Sequence, residues 1–594
     1  MENKTRESRT VNRDIQRPDR SHARSRTTSV FSGKRFAALA LALMTTVCLL
    51  AGCGGGSSDS PGGGRGSGKK LSYEDAQTEL DALLTRVDQQ VIENPEMDIY
   101  SDEVTVADTL ADISTFPITV QGSGEIDLEI AAPSEFTGSQ PDDWLNVVAD
   151  RFNKSGAEID GKSVSVTVRK MASGEVVTYM TGGGYRPDMY IPSNFALGEM
   201  LKAGGIGVIE LADRVAGNTA GMLIKKDVYD SFTQKYGDAT VTSVLDATLA
   251  GDLTFAYTNP YTSATGLNIL TAMLHSFDPS DPLSDTASGK LLDYQKQSPP
   301  VAYTTGVLRN QAAKGIINAM VMEEQAYINQ PELKSYVYIP AGIRHDHPVY
   351  TFDYVSAQER KAAELFTQYC LSKESQKLAT DKGFNRRDEY KGEDPGLDGA
   401  GYLAAQKVWK QNKNGGKPII AVFVADTSGS MEGSPLKSLK ESLVSSSSYI
   451  SEDNYIGLVS YSDDVTINLP IERFDAKQRA YFSGEVKALT ARGSTATYDA
   501  VLVASKMILD KKQEVPDAKM MLFVLSDGEQ NEGYDLDRIT PVVEGLGIPI
   551  YTIGYNLSDT TELEQLSEIN EAANIKANTD DVVNHLRNLF SVEM

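Results

Sequence analysis

Cysteine is nearly absent. The 594 residues hold three, Cys48, Cys53 and Cys370, and the first two fall in the leader region read below. The globular part keeps one thiol, so no internal disulfide can form, and stability must come from large cores or bound ions. Histidine is almost as scarce, five in all, and none places a base beside Cys370. That residue therefore reads as a small buried apolar side chain and not as a nucleophile. A membrane-spanning run is missing too. The apolar stretch Phe36–Leu50 has 15 residues, against about 20 for a helix that crosses a bilayer. Signatures of catalysis are missing as well. There is no phosphate-binding Gly-x-x-x-x-Gly-Lys-Ser/Thr loop, since Ala287-Ser-Gly-Lys290 lacks the first glycine and the hydroxyl. Neither His-Glu-x-x-His nor Gly-x-Ser-x-Gly occurs, so no enzyme is expected. Basic charge is short overall, with 57 Lys and Arg against 82 Asp and Glu, a net of -25. Residues 1–52 carry 10 of the basic and 4 of the acidic side chains, so the remainder has 47 against 78, a net of -31. A surface that acidic repels phosphate backbones and excludes nucleic acid as a partner.

What is there begins with an address. Residues 1–35 are polar and basic and end in Lys34-Arg35, ahead of the Phe36–Leu50 run, which has the length and flanks of a secretory signal. Leu50-Ala51-Gly52-Cys53 follows, and this Leu, two small residues and Cys resemble the lipobox of bacterial lipoproteins. The resemblance implies that Cys53 carries the lipid and becomes the mature N-terminus. From Gly54 to Gly68 the chain is mostly Gly and Ser. It cannot pack a core and serves as a tether reaching roughly 20 Å. Two acyl chains would hold the protein stably on a membrane, so a lipid-anchored location on the outer face of the cell membrane is expected.

Hydrophobic residues at 40% and charged residues at 23% support packed cores and exclude wholesale disorder. Ser72 can cap a helix whose stripe is Ala76, Leu80, Leu83, Leu84, Val87 and Val91. It reads either as packing on the domain that follows or as a stalk. From Ile126 the pattern alternates strand and helix, which argues for a mostly parallel sheet with helices on its faces. Gly-rich breaks at 391–401 and 412–417 end that region, and a new domain starts at Pro418. The expected organisation is a signal peptide (1–52), a tether (53–70), a helical lead-in (71–125), a first α/β domain (126–390), a linker (391–417) and a second α/β domain (418–594).

The strongest motif lies in the last of these. Pro418-Ile-Ile-Ala-Val-Phe-Val-Ala425 reads as a central strand buried on both faces, and it ends in Asp426-Thr-Ser428-Gly-Ser430. Arg492-Gly-Ser-Thr495 lies just before a helix, and Met520–Leu525 is another buried strand, ending in Ser526-Asp527-Gly528. The carboxyl ends of strands form the ligand crevice of an open α/β sheet. Hard oxygen donors converging there suit Mg²⁺, Mn²⁺ or Ca²⁺ and not a soft metal. The stretch from about 418 to 590 resembles a von Willebrand factor type A domain. The resemblance implies a metal-ion-dependent adhesion site with Asp426, Ser428, Ser430, Thr495 and Asp527 as ligands to a divalent cation, magnesium first. It implies a protein partner whose acidic residue completes the coordination. The fold expected is a doubly wound, mostly parallel sheet, with Tyr455–Tyr461 and the strand from Val465 forming a hairpin whose second strand is the edge, and Ile548–Gly554 as the last strand. Asp581–Val592 closes it as a helix.

Residues 126–390 resemble bacterial extracellular solute-binding proteins of the kind that carry oxyanions. The cues are Ala131-Ala-Pro-Ser134-Glu-Phe after a strand and Thr258–Gly266 before a helix. The resemblance implies a two-lobed, periplasmic-binding-protein-like α/β domain whose cleft holds a small molecule or oxyanion. The candidate contacts are Ser134, Ser173, Thr262, Ser263 and Thr265. His345 and His347 flank Asp346 ahead of Pro348 and read as an exposed loop. Together these readings describe a lipid-anchored surface binding protein with the solute-binding-like domain nearer the membrane. The alternative is the receptor component of a transport system.

Overall fold

The computed structural model describes residues 71–594 except 99–109, 111, 298, 303–304, 306–307, 310–316, 529, 556–560, 571–573, 578–585, 587–588 and 591–593. Cys53 and the leader lie outside the described residues, as does most of the expected closing helix. Among the described residues no helix is long and apolar enough to cross a membrane.

The apolar runs that read as central strands build one sheet. Its strands, numbered along the chain, are β1 (Gln89–Val91), β2 (Ile419–Asp426), β3 (Tyr455–Tyr461), β4 (Val465–Arg473), β5 (Lys519–Ser526), β6 (Ile550–Tyr555) and β7 (Asn574–Ala577). The spatial order is β1-β4-β3-β2-β5-β6-β7. Every residue of β2 is buried, as expected of a strand covered on both faces. β2 runs parallel to β3 and β5, and β4 is antiparallel to β3. Two expectations are corrected here. β4 is not an edge, because β1 pairs with it in parallel, Gln89 opposite Val465 and Val91 opposite Ile467. Nor is β6 the last strand, because β7 pairs beside it.

The lead-in segment shows why β4 is covered. Helix α1 (Tyr73–Leu84) starts at Ser72, whose hydroxyl accepts the Asp75 N–H at 3.1 Å. Ala76, Leu80, Leu83 and Val87 are buried in the same core as β2, β5 and the helix Leu536–Leu546. The helix therefore packs neither on the domain that follows it nor as a free stalk; it belongs to the C-terminal domain. Val91 leaves the expected stripe because the helix ends at Leu84, and Val91 lies 54% exposed in β1. The two-lobed domain is thus an insertion between β1 and β2. Its connections run from 92 to 117 and from 385 to 418.

Two further sheets make that inserted domain. One lobe orders Ile118–Val120, Lys162–Lys170, Ile126–Ala132, Met189–Tyr190, Val349–Phe352 and Val208–Ala212. The other orders Val301–Ala302, Phe255–Thr258, Ala319–Glu323, Asn218–Lys225 and Tyr336–His345. Two strand-to-strand crossings join the lobes, after Ala212 and after His345, and they are tied where Val215 N–H donates to the carbonyls of Asp346 and His347 at 3.2 and 3.1 Å. Helix Gly399–Asn412 spans both, with Tyr402 in the core of one lobe and Ala405 and Trp409 in the core of the other. Cys370 is fully buried, as its sequence context implies, and burial pushes its thiol well above the ordinary range. A thiol reagent should leave Cys370 unmodified in the native protein and react with it only once denaturant has unfolded this lobe, a result that mass spectrometry of the Cys370 peptide reads directly.

Candidate functional site

β2 and β5 are parallel neighbours in register, Ala425 opposite Leu525, so their carboxyl ends lie side by side at one rim. Asp426 closes β2 and is fully buried. Its Oδ1 accepts the Ser428 N–H at 2.7 Å, and its Oδ2 accepts the Ser526 hydroxyl at 2.5 Å. The turn it anchors brings Ser428 Oγ to 3.0 Å from Ser430 Oγ. Ser430 Oγ in turn donates to Asp527 Oδ1 at 2.8 Å. Thr495 arrives from a third loop, held where its N–H donates to Asn531 Oδ1 at 2.8 Å. A methyl group placed on Gly528 would sit 3.3 Å from Ser430 Oγ and 3.8 Å from Thr495 Oγ1, so these two hydroxyls face one small space, kept open by the glycine. The loops also bind one another: Gly429 N–H donates to Gly493 O at 3.0 Å, and Arg492 N–H to Thr427 O at 2.8 Å.

All five expected donors therefore meet at one rim. Sequence reasoning missed Ser526, which fixes the Asp426 carboxylate from the neighbouring strand; its position directly before Asp527, at the end of a buried run, was the available signal. Among the described residues no three His, Cys, Asp or Glu side chains gather as a metal centre. The donors here are instead two carboxylates and three hydroxyls, a set that fits a hard divalent cation. Burial pushes the Asp426 and Asp527 carboxyls up, the condition a bound cation reverses.

The candidate contacts of the two-lobed domain are mostly committed elsewhere. Ser134 is exposed at the start of a four-residue helix. Ser173 is buried, its Oγ accepting the Ser193 N–H at 3.2 Å. Thr262 is buried, and its carbonyl accepts the Gly174 N–H from the opposite lobe at 3.0 Å. Ser263 caps the helix Ala264–Phe277, accepting the Gly266 N–H at 3.3 Å. Thr265 donates to the Glu323 carboxylate. The lobes touch so closely at this point that a Cβ on Gly174 would lie 2.1 Å from Tyr261 O. Gly174→Ala should force them apart and cost about 1–3 kcal/mol in thermal unfolding, as overpacking does.

Sequence reasoning also missed Glu135 and Glu323, which enter from opposite lobes. Burial first, and the Glu135 charge next, raise the Glu323 carboxyl to about 7. His345 and His347 are not in an exposed loop; both are fully buried. They lie on the second crossing between lobes, where Asp346 and Pro348 give a turn-like sequence to a segment covered by tertiary packing. His347 stacks on Phe136 with ring centroids 4.0 Å apart, its Nδ1 lies 2.8 Å from Ala216 O, and its Nε2 lies 3.6 Å from Glu135 Oε1. Burial, then the neighbouring His347, lowers His345 to about 3, so it stays neutral.

With this geometry in place, residues 421–590 match the family model of the von Willebrand factor type A domain. The C-terminal region is a von Willebrand factor type A domain. Residues 136–385 match the model of a bacterial extracellular solute-binding protein, so a solute-binding domain precedes the type A domain's main body. Both are families of binding domains that are typically non-enzymatic, and the solute-binding family points to an envelope or extracellular location. Among curated proteins the chain is similar to inter-alpha-trypsin inhibitor heavy chain H3 of Bos taurus. Identity is 28% over 154 residues, 24% of this chain and 17% of that protein, so the chain spans about a sixth of that relative's length. Among solved structures it is similar to a von Willebrand factor type A protein from Catenulispora acidiphila, with 17% identity, a TM-score of 0.27, and coverage of 30% of this chain and 42% of that one. Iron-bound HitA from Pseudomonas aeruginosa also matches, with 14% identity, a TM-score of 0.36, and coverage of 49% and 99%.

Proposed function

We propose that this is an envelope binding protein whose type A domain captures a protein partner through a divalent cation held by Asp426, Ser428, Ser430, Thr495 and Asp527. The observation that carries the reading is the continuous contact from Ser428 Oγ through Ser430 Oγ to Asp527 Oδ1, at 3.0 and 2.8 Å, at the end of a strand whose terminal Asp426 is buried. When bound, the ion supplies a charge that a partner carboxylate can meet. The chain's part is to fix donor positions in advance: Ser526 and the Ser428 N–H orient Asp426, and Asn531 sets the Thr495 loop. Magnesium is the ion proposed first, with manganese and calcium as alternatives. The test is a pull-down from cell-envelope extract with and without a chelator. A partner retained only without chelator supports the reading, and equal retention in both overturns it.

The anchor proposed at Cys53 changes meaning with the fold. The described chain enters the type A domain first, through Leu71 and the helix Tyr73–Leu84, both packed into its core. A tether over residues 53–70 therefore leads straight into the metal-site domain, and the placement of the solute-binding domain nearer the membrane is set aside.

A solute receptor remains the second reading, favoured by the two lobes and their double crossing. Two carboxylates enter from opposite lobes there, the buried Glu323 and the part-buried Glu135, whose Oε1 lies 3.6 Å from His347 Nε2; their negative charge disfavours an oxyanion and suits a neutral or cationic small molecule. Thermal stabilisation by an oxyanion such as sulfate would count against that choice.

A further inference from the structure

The lead-in segment through β1 completes a cavity that β2–β7 alone would not form. After β1 the chain runs across helix α2 (Ala476–Ala488): Glu96 N–H donates to Glu485 Oε1 at 2.5 Å, and Asp98 N–H to Ala480 O at 3.0 Å. The backbone lies so close that a Cβ on Gly484 would sit 2.2 Å from Glu96 O. Between this crossing segment and the sheet is a cavity of about 380 Å³, a volume that takes a small ligand or a long side chain. Its opposite wall includes Thr427 and Arg492. Thr427 stands between Asp426 and Ser428, and Arg492 is three residues before Thr495, so the cavity adjoins the candidate metal site on the same rim.

The lining wants a donor of hydrogen bonds. Glu485 is 4% exposed, and the partners described for its carboxylate are neutral: the Glu96 N–H and, at 3.3 Å, the Asn468 amide. Asn468 is 6% exposed and also lines the cavity, and among the described residues its Oδ1 has no hydrogen-bond partner. A buried carboxylate beside an unsatisfied carbonyl is costly unless a charged donor satisfies both. Arg492 does not do so; it faces Asp464 at 3.7 Å, and its side chain is 65% exposed. Ammonium and guanidinium groups carry three and five donors and no acceptor.

We propose that this cavity receives a lysine or arginine side chain from the same partner whose carboxylate meets the ion, so that the type A domain reads an acidic and a basic residue close together. The pairing with a partner rests on the metal-dependent reading above; the cation site itself does not. The experiment is calorimetric titration of the full chain with acetyl-arginine methylamide, acetyl-lysine methylamide and the neutral acetyl-citrulline methylamide, with and without chelator. Saturable binding of the two cations, absent for citrulline and unchanged by chelator, is expected. Glu485→Gln should weaken it about tenfold or more, the effect of removing a charged hydrogen-bond acceptor. Gln90→Lys, at an exposed lining position beside Thr466 and Asp464, puts an ammonium into the lining and should block the probes without touching the core. No saturable binding, equal binding of citrulline, or wild-type affinity in both variants overturns the proposal. Partner capture that persists in chelator while probe binding stays intact would overturn the metal-dependent reading and leave the cation site standing.

Discussion

Asp426→Asn is expected to abolish the stabilisation that a divalent cation gives the type A domain. At a hundredfold excess over its dissociation constant, a ligand bound only by the native state adds about 2.7 kcal/mol. Wild-type protein should show that gain on addition of magnesium, and the variant should show none. Asparagine keeps an oxygen for the Ser428 N–H, so the turn survives; what disappears is the buried charge. The carboxylate is fully enclosed, and burial raises it, so the site favours a cation electrostatically before any partner arrives. Partner capture should fall by more than about a hundredfold, since removing one member of a desolvated charge contact costs about 2–5 kcal/mol. The measurement is differential scanning calorimetry with and without magnesium, followed by the pull-down. A magnesium-dependent shift of the same size in wild type and Asp426→Asn would refute the ligand assignment.

The second large effect concerns the segment that precedes the insertion. Leu80 is fully buried on α1 against the core of the type A domain. Leu80→Ala should cost about 2–5 kcal/mol, the range for a leucine truncated in a packed core. A leucine on a solvent-facing stalk would change stability by no more than about 0.5 kcal/mol, so the two placements of α1 differ several-fold. Hydrogen exchange at the amides of β2 and β5 is the suitable readout, because a protein with an inserted domain does not unfold as one unit. Faster exchange there supports the packing; unchanged exchange contradicts it. The same variant should lower metal affinity only as far as it unfolds the domain.

The five oxygen donors were legible because each lies at the end of a buried apolar run or just ahead of a helix. In a parallel sheet, such ends necessarily share one rim. The cap at Ser72 and the burial of Cys370 were legible for the same local reason. The membership of α1 was not. Its stripe at Ala76, Leu80, Leu83 and Val87 states that one face must be covered, but periodicity carries no information about which core covers it. β1 was invisible because it has three exposed residues and is held by main-chain pairing with β4. His345 and His347 misled for the opposite reason: a turn-like local sequence was buried by the crossing of two chains.

The sequence by itself determined the doubly wound sheet, the two-lobed insertion's strand and helix rhythm, and which oxygen-bearing side chains gather at one rim, because these follow from local hydrophobic pattern and from which residues end each strand. Only the tertiary structure decided that the type A domain is assembled from both sides of the insertion, that Ser526 holds Asp426, and that a polar cavity adjoins the rim. Each of these depends on contacts between residues tens to hundreds of positions apart, and such contacts are set by which surfaces bury one another, a property no local segment carries.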